Sequence, residues 1–185
     1  MSHPRILDKN KVALLVVDIQ EAFRNVITDF SRVASRTAAA VRGFQMLDVP
    51  VFVTEQYPKG LGRTAHEIQA ELAEDFEYID KTAFSSCGAP KVEAGFRAVH
   101  VEQIVVCGLE AHVCVNQTVH DLLDRGYDVH LLTDCVGSRH QNDRDAGLKK
   151  MFSSGAVPST LEIALFELLR DATHEKFKEV QQLVK

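Results

Sequence analysis

Residues 104–126 read IVVCGLEAHVCVNQTVHDLLDRG and contain the transition that decides the fold. The apolar run at 104–107 is short and rich in valine, which is typical of a buried parallel strand. A segment of helical period follows, in which four apolar residues share one face: Val115, Val119, Leu122 and Leu123. Gly126 stands where the C-cap of that helix is expected. The stretch therefore predicts a buried strand that leads through a turn into an amphipathic helix.

The same alternation of apolar runs and helical segments extends along the chain. The other candidate strands are Val12–Val17, residues 51–54, residues 129–133 and a weaker run at 76–79. Further helices are predicted around residues 33–47 and 142–153, at Leu161–Leu169 behind a capping pair of Ser159 and Glu162, and after Thr173. This order predicts one domain over residues 1–185, a Rossmann-like, three-layer α/β/α fold around a mostly parallel six-stranded sheet.

The charge balance disfavours several classes of function. The 185 residues carry a formal net charge of −5, and their Lys and Arg residues are scattered, so we expect no nucleic-acid surface. The apolar stretches are too short to cross a membrane, and residues 1–11 do not resemble a signal peptide. No GxGxxG motif is present, which disfavours a redox cofactor. We therefore expect a cytoplasmic protein that needs no cofactor.

The four cysteines lack the spacing of a structural zinc site, and in a reducing cytoplasm we expect them to be free thiols. Cys107 lies in a candidate strand and is predicted to be buried and inert. Cys135 follows a strand and is predicted to be partly exposed, and Cys87 falls in a predicted loop. Only Cys114, at the start of the predicted helix, lies where a reactive group is expected.

Three residues able to carry chemistry follow the ends of candidate strands: Asp18, Lys81 and Cys114. Because parallel strands end at one edge of a sheet, we expect these side chains to meet there. The helix dipole and a nearby ammonium both favour a thiolate, and a carboxylate can accept the thiol proton. The alternative is that Cys114 is simply a small buried residue, and that the two charged groups are solvated strand ends.

Three motifs in order give the chain a family resemblance. They are LLVVDIQEAF at 14–23, DKTAFS at 80–85 and VVCGLEAHVCV at 105–115. Together they resemble the isochorismatase-like cysteine hydrolases, and the short isochorismatase domain-containing proteins in particular. The resemblance covers nearly the whole chain, and it implies an enzyme of the hydrolase class.

The resemblance implies a role for each motif. Cys114 would attack a carbonyl carbon to form a thioester, Asp18 would shuttle the proton, and Lys81 would hold the thiolate and orient Asp18. The backbone N–H groups of Glu110 and Cys114 would form the oxyanion hole, next to a cis peptide between Leu109 and Glu110. Six residues are expected to contact the substrate: Gln20, Phe23, Glu55, Tyr57, Phe84 and His112. The alternative for Phe23 is that it packs in the core, and the alternative for His112 is that it caps the turn.

The chain also departs from some relatives. Nicotinamidases of this family have an Asp-x-His metal site after the second strand, where this chain has Glu55, Gln56 and Tyr57. His66 alone does not rebuild that site, so we expect no metal there, although Glu55 remains a candidate for a cation. The segment KGLGRT at 59–64 is predicted to be a mobile lid. The cysteine favours an amide, a carbamoyl group or a related acyl group as substrate.

Two other readings stay open at this point. One is a non-catalytic binding or scaffold protein that keeps the fold, and the other is a thiol sensor that uses Cys114. The family resemblance also implies a homo-oligomer, a dimer or a tetramer. The last helix is a candidate interface, or else it packs on its own domain.

Overall fold

The computed structural model describes residue 3 and residues 5–185; Met1, Ser2 and Pro4, within the predicted domain, lie outside that part. Six strands are described: β1 Val12–Val17, β2 Val51–Gln56, β3 Ile79–Lys81, β4 Gln103–Leu109, β5 Asp128–Gly137 and β6 Val157–Ser159. The α-helices described are α1 Phe30–Met46, α2 Pro58–Leu61, α3 His66–Gln69, α4 Pro90–Ala98, α5 Cys114–Asp124, α6 Gln141–Ser153, α7 Leu161–Leu169 and α8 Phe177–Val184. Short 3₁₀ turns occur at Glu21–Phe23 and Ser86–Gly88.

The strands form one sheet in the order β3-β2-β1-β4-β5-β6, and every pairing is parallel. The chain builds β1, β2 and β3 outward in one direction, then returns to place β4 on the other side of β1. This reversal opens a crevice at the carboxyl ends of β1 and β4, where open α/β sheets bind ligands. The predicted fold class is confirmed.

Helices cover both faces of the sheet because the central strands are apolar on both. β1 and β4 are buried along their whole length, as strands covered on both sides must be. Residues of α1, α7 and α8 share one apolar cluster with the sheet, and residues of α4, α5 and α6 share the other. The result is the three-layer architecture expected from the sequence.

Several predicted boundaries were wrong. β2 continues to Gln56, so Glu55 lies in a strand and not in a loop. The weak run at 76–79 yields a strand only at Ile79–Lys81. The predicted cap Ser159 ends β6, and Thr160 caps α7 by accepting a hydrogen bond from the Ile163 N–H. β6 itself was missed because it is a three-residue edge strand with Pro158 at its centre, which an edge strand tolerates.

The last helix begins at Phe177 and not directly after Thr173. Its Val180 is fully buried and belongs to the cluster formed with α1 and α7, so this face packs on its own domain. Among the helices of the described residues, none is both long and apolar enough to cross a lipid bilayer.

Candidate active site

Asp18, Lys81 and Cys114 meet at the carboxyl edge of the sheet. Lys81 Nζ lies 2.6 Å from Asp18 Oδ2, and both side chains are only 1% exposed. Cys114 is 7% exposed, and the charge of Asp18 beside it raises the pKa of its thiol. Asp18 comes directly after β1, Lys81 ends β3, and Cys114 is the first residue of α5. The structure therefore brings the three predicted residues together.

The Lys81 ammonium is surrounded by oxygen atoms. Besides Asp18, it donates to Gln56 Oε1 at 2.7 Å and to the carbonyl oxygens of Phe84 and Ala83 at 2.8 and 3.1 Å. An ammonium has only three protons, so these four acceptors already saturate it. Lys81 thus acts as a fixed buried cation beside Asp18, and its hydrogen bonds do not include Cys114.

The Asp18 carboxylate accepts hydrogen bonds on both oxygens. Thr54 Oγ1 donates to Oδ1 at 2.8 Å, and Lys81 donates to Oδ2. Burial raises the pKa of Asp18, and the Lys81 charge with the hydrogen bonds from Lys81, Thr54 and Cys114 opposes that rise. Asp18 is therefore an ion-paired base with more proton affinity than a solvated aspartate.

Cys114 is protonated in the resting protein. Burial raises the pKa of its thiol to about 12, the Asp18 charge adds to the rise, and Lys81 only partly opposes it. Lys81 lowers the pKa of this thiol, as the sequence predicted, but the effect is smaller than the rise caused by burial and by Asp18. Desolvation and a carboxylate in contact outweigh a cation that belongs to Asp18. The thiol needs a base at the moment it reacts.

The turn before Cys114 presents unpaired backbone donors. The Leu109–Glu110 peptide is cis, as the family resemblance implied. Within the described residues, the N–H groups of Glu110 and Cys114 make no backbone hydrogen bond, whereas Ala111 and Val113 on the same turn do. Unpaired N–H groups beside a nucleophile are what an oxyanion hole requires.

The side chains of this turn are held by the segment after β5. The buried Glu110 carboxylate accepts from the backbone N–H of Arg139 at 2.9 Å and from Arg139 Nε at 3.0 Å. His112 Nδ1 lies 3.0 Å from Ser138 Oγ, and Nε2 lies 4.0 Å from Asp143. His112 is therefore engaged with its own domain, as its capping alternative anticipated.

Two residues predicted to contact the substrate instead brace the loop after β2. Gln20 is fully buried; its amide donates to the carbonyls of Gln56 and Gly62, and its Oε1 accepts from the Gln56 N–H. Glu55 is also fully buried and accepts from Arg63 and from both donors of Thr64.

These contacts involve the segment at 59–64, which was predicted to be a mobile lid. Gly62, Arg63 and Thr64 are hydrogen-bonded to these buried side chains, so the carboxyl end of the predicted lid is held in place. The cation beside Glu55 is a guanidinium of the same chain. Glu55 was also expected to be a loop residue, and this is corrected by its place in β2.

The remaining predicted contact residues lie nearer the surface. Tyr57 and Phe84 are 54% and 53% exposed, on the segments that follow β2 and β3, and Phe23 is half-buried against the core. A cleft of about 530 Å³ lies beside β3 and is lined in part by Tyr57, Lys81 and Thr82. Cys114 is not among the residues that line this cleft.

The other cysteines are all buried. Burial raises the pKa of Cys107 to about 12, in agreement with an inert residue. Cys135 is fully buried inside β5, so the prediction of partial exposure was wrong, and Cys87 is buried in a 3₁₀ turn. All four are free thiols in the structure.

One cluster has the residue types of a metal site. Glu21, His66 and Glu67 bring their ligand atoms within 4.8 Å of one another. The guanidinium of Arg24 donates to both carboxylates and lies 3.2 Å from His66 Nδ1. The cluster therefore already contains its cation.

Sequence reasoning missed two residues of the site, Thr54 and Gln56, whereas Gly108 stands in the third motif, six residues before Cys114. Thr54 and Gln56 lie in β2 with nothing in their spacing to mark them. Gly108 allows β1 and β4 to approach, because a Cβ there would lie 2.1 Å from the Val17 carbonyl oxygen, and its φ is +134°. A glycine at the end of an apolar strand was the one available signal.

Comparison with known proteins gives consistent matches. A family model described as Isochorismatase domain matches residues 12–163. "Isochorismatase domain-containing protein 2" of Xenopus laevis is 41% identical over 179 residues, which is 96% of this chain and 85% of that protein. The Homo sapiens protein of the same description is 40% identical over 181 residues, or 98% and 86%. The solved structure of "MAR1 Ribonuclease from Caenorhabditis elegans" has a TM-score of 0.88 and 40% identity, covering 97% of this chain and 92% of that one.

Proposed function

The chain belongs to the isochorismatase domain family, and we propose that it is a cofactor-independent cysteine hydrolase of a small amide, carbamoyl or related acyl substrate. The nucleophile is Cys114, the proton carrier is Asp18, and Lys81 keeps Asp18 charged and oriented. The observation that carries the proposal is the buried carboxylate of Asp18, which accepts a hydrogen bond from the Lys81 ammonium and whose charge acts on the Cys114 thiol.

In the first half of the reaction, Cys114 Sγ attacks the carbonyl carbon while its proton passes to Asp18. A C–S bond forms, and the carbonyl electron pair moves onto oxygen, where the N–H groups of Glu110 and Cys114 stabilise it. The intermediate then collapses, the bond to the leaving nitrogen breaks, and Asp18 returns the proton to that nitrogen. An acyl thioester on Cys114 remains.

In the second half, a water molecule attacks the thioester and transfers a proton to Asp18. The C–S bond breaks, the acid product leaves, and Asp18 reprotonates the thiolate. Lys81 keeps its hydrogen bonds through both halves because its protons are all engaged. This sequence needs neither a metal nor a redox group.

The Caenorhabditis elegans relative is described as a ribonuclease, and that activity is the second candidate. Phosphodiester cleavage favours a cation that reaches the phosphate, whereas Lys81 is enclosed by four oxygens. The net charge of −5 also gives no attraction for RNA. These observations favour acyl chemistry over RNA cleavage.

We also propose that the protein is cytoplasmic and self-associates. Four free cysteines suit a reducing compartment. Ile163 and Phe166 are large apolar side chains exposed on the outer side of α7. Light scattering of the purified chain at several concentrations measures the mass of the assembly; a monomer at every concentration would contradict this part of the proposal.

The test of the hydrolase is a panel of small neutral amides, carbamoyl compounds and activated esters, together with a structureless RNA. We expect turnover of at least one acyl compound by the unaltered protein, loss of that turnover in Cys114→Ala, and no RNA cleavage. Peroxide-sensitive alkylation of Cys114 without any turnover would favour the thiol sensor. Normal folding with neither property would favour the scaffold.

A further inference from the structure

Gly147 lies in the middle of α6 and faces the turn that precedes the nucleophile. It is buried, and a Cβ built on it would lie 2.9 Å from the Ala111 carbonyl oxygen, 3.0 Å from His112 Cα and 3.1 Å from the Ala111 carbonyl carbon. All three atoms belong to the backbone, so no side-chain rotation relieves the contact. Ordinary van der Waals contact begins at 3.4 Å, so alanine requires a movement of about 0.5 Å.

Helix α6 is not free to make that movement alone. One turn before Gly147, Arg144 Nε and an Nη donate to the carbonyl oxygens of Val136 and Thr133 in β5. One turn after it, Met151 is fully buried in the apolar cluster on that face of the sheet. The helix is thus anchored on both sides of the glycine, and the strain passes to the turn.

The turn is the part of the site that carries the unpaired donors. The peptide between Ala111 and His112 lies between Glu110 and Cys114, whose N–H groups would stabilise the oxyanion. Ala111 is also held from β5, because its N–H donates to the Gly137 carbonyl at 2.8 Å. A steric contact from α6 therefore displaces the N–H donors of the turn. The Asp18–Lys81 pair stays in place because it belongs to other parts of the sheet edge.

We propose that Gly147 is a positioning residue for the oxyanion hole: the absence of its side chain lets α6 support the turn at backbone contact and fixes the two N–H donors. This inference rests on the proposed acyl chemistry. Nothing in the substrate touches Gly147, which acts only through the turn. Its replacement lowers the rate of acyl transfer without changing the acid–base groups.

The test compares two reactions of the same thiol in the Gly147→Ala protein. Acylation by p-nitrophenyl acetate builds an oxyanion, whereas alkylation by iodoacetamide displaces iodide at a saturated carbon and builds none. A misplacement of 1 Å costs roughly 100-fold, so half of that should slow acylation by about tenfold. Alkylation should keep its rate. The strained contact should lower thermal stability, and the better helix propensity of alanine should offset part of that loss, so the variant should remain folded.

Gly43→Ala is the matched control. Gly43 is also a mid-helix glycine, but a Cβ there meets Leu165 Cδ2 at 2.7 Å, a flexible side chain on the opposite face of the sheet. Both reactions should proceed at the unaltered rate in this variant. Equal acylation in Gly147→Ala and the unaltered protein overturns the inference, and so does an equal fall in both reactions. An unaltered protein that is alkylated but never acylated instead contradicts the proposed function, and this inference with it.

Discussion

Replacing Lys81 by Met removes the cation from the buried pair while keeping a side chain of similar length. Asp18 then has Thr54 and the Cys114 thiol as its remaining hydrogen-bond donors. Because both members of the pair are 1% exposed, the lost interaction is not replaced by water. Removing one partner of such a pair costs about 3–5 kcal/mol, a large share of the 5–15 kcal/mol that stabilises a domain.

The loss of unfolding free energy in the Lys81→Met protein should depend on pH, and the pKa of Asp18 fixes the direction. Burial already raises the pKa of Asp18, and without Lys81 the rise is no longer opposed by the main cation. A folded-state pKa above the unfolded one gives stability that is present at low pH and lost as pH rises. The Lys81→Met protein should therefore be closest to the unaltered protein in mild acid and furthest from it in mild alkali.

The assay is urea unfolding at mildly acidic and mildly alkaline pH, with Lys149→Met as the control. Lys149 is an exposed residue of α6 with no side-chain partner among the described contacts, so its replacement should change the free energy of unfolding by less than about 0.5 kcal/mol. Asp18→Asn combined with Lys81→Met should recover part of the loss, because neither charge is then unpaired. A Lys81→Met defect below about 1 kcal/mol, or one independent of pH, would refute this reasoning.

Four further predictions follow from single features. Because the pKa of Cys114 is raised to about 12, its alkylation should accelerate about tenfold per pH unit between roughly pH 7 and 9, without a plateau; a plateau near neutrality would mean a resting thiolate. Asp18→Asn removes the base that accepts the thiol proton, so turnover should fall at fixed pH. Gly108→Ala places a Cβ against the Val17 carbonyl and should cost about 3 kcal/mol or more in urea unfolding, which an unchanged midpoint would contradict. Burial lowers the pKa of His130 below its usual 6.5, so unfolding free energy should fall as pH drops through that value, and His130→Leu should flatten the slope.

The sequence was sufficient for five of the six strands of the described sheet and for the residues that meet at its edge. Asp18, Lys81 and Cys114 each follow an apolar run, and parallel strands with short crossovers bring such positions together. The prediction did not depend on exact boundaries: β3 is shorter than the run that suggested it, yet Lys81 still points to Asp18. The alternation of strand and helix carries this information, and one residue of error at an end does not destroy it.

The ionisation state of the nucleophile was not predictable in the same way. A helix N-terminus and a nearby lysine both favour a thiolate, and both are visible in the sequence. The opposing causes are the burial of the Cys114 thiol and the charge of Asp18 beside it. Both depend on three-dimensional contacts that the spacing of the residues does not reveal.

The hydrogen bonds that hold the loop after β2 were also not predictable from the sequence. The segment at 59–64 was predicted to be a mobile lid, but Gln20 and Glu55 hold its carboxyl end by hydrogen bonds. Gln20 also belongs to the motif that supports the family resemblance, where it was expected to contact substrate. A buried amide whose oxygen and nitrogen are both hydrogen-bonded to the protein has a structural role. Only its hydrogen-bond partners, which the sequence does not show, reveal that role.

The central claim is that Cys114 becomes acylated with Asp18 taking its proton, and one measurement tests it most directly. The protein is mixed with p-nitrophenyl acetate, quenched in acid within the first turnover, digested and mapped by mass spectrometry. We predict one hydroxylamine-labile acetyl group on Cys114, none on the other three cysteines, and slow formation of the adduct in Asp18→Asn. An acetyl group distributed over surface residues, or its absence from Cys114, would contradict the account.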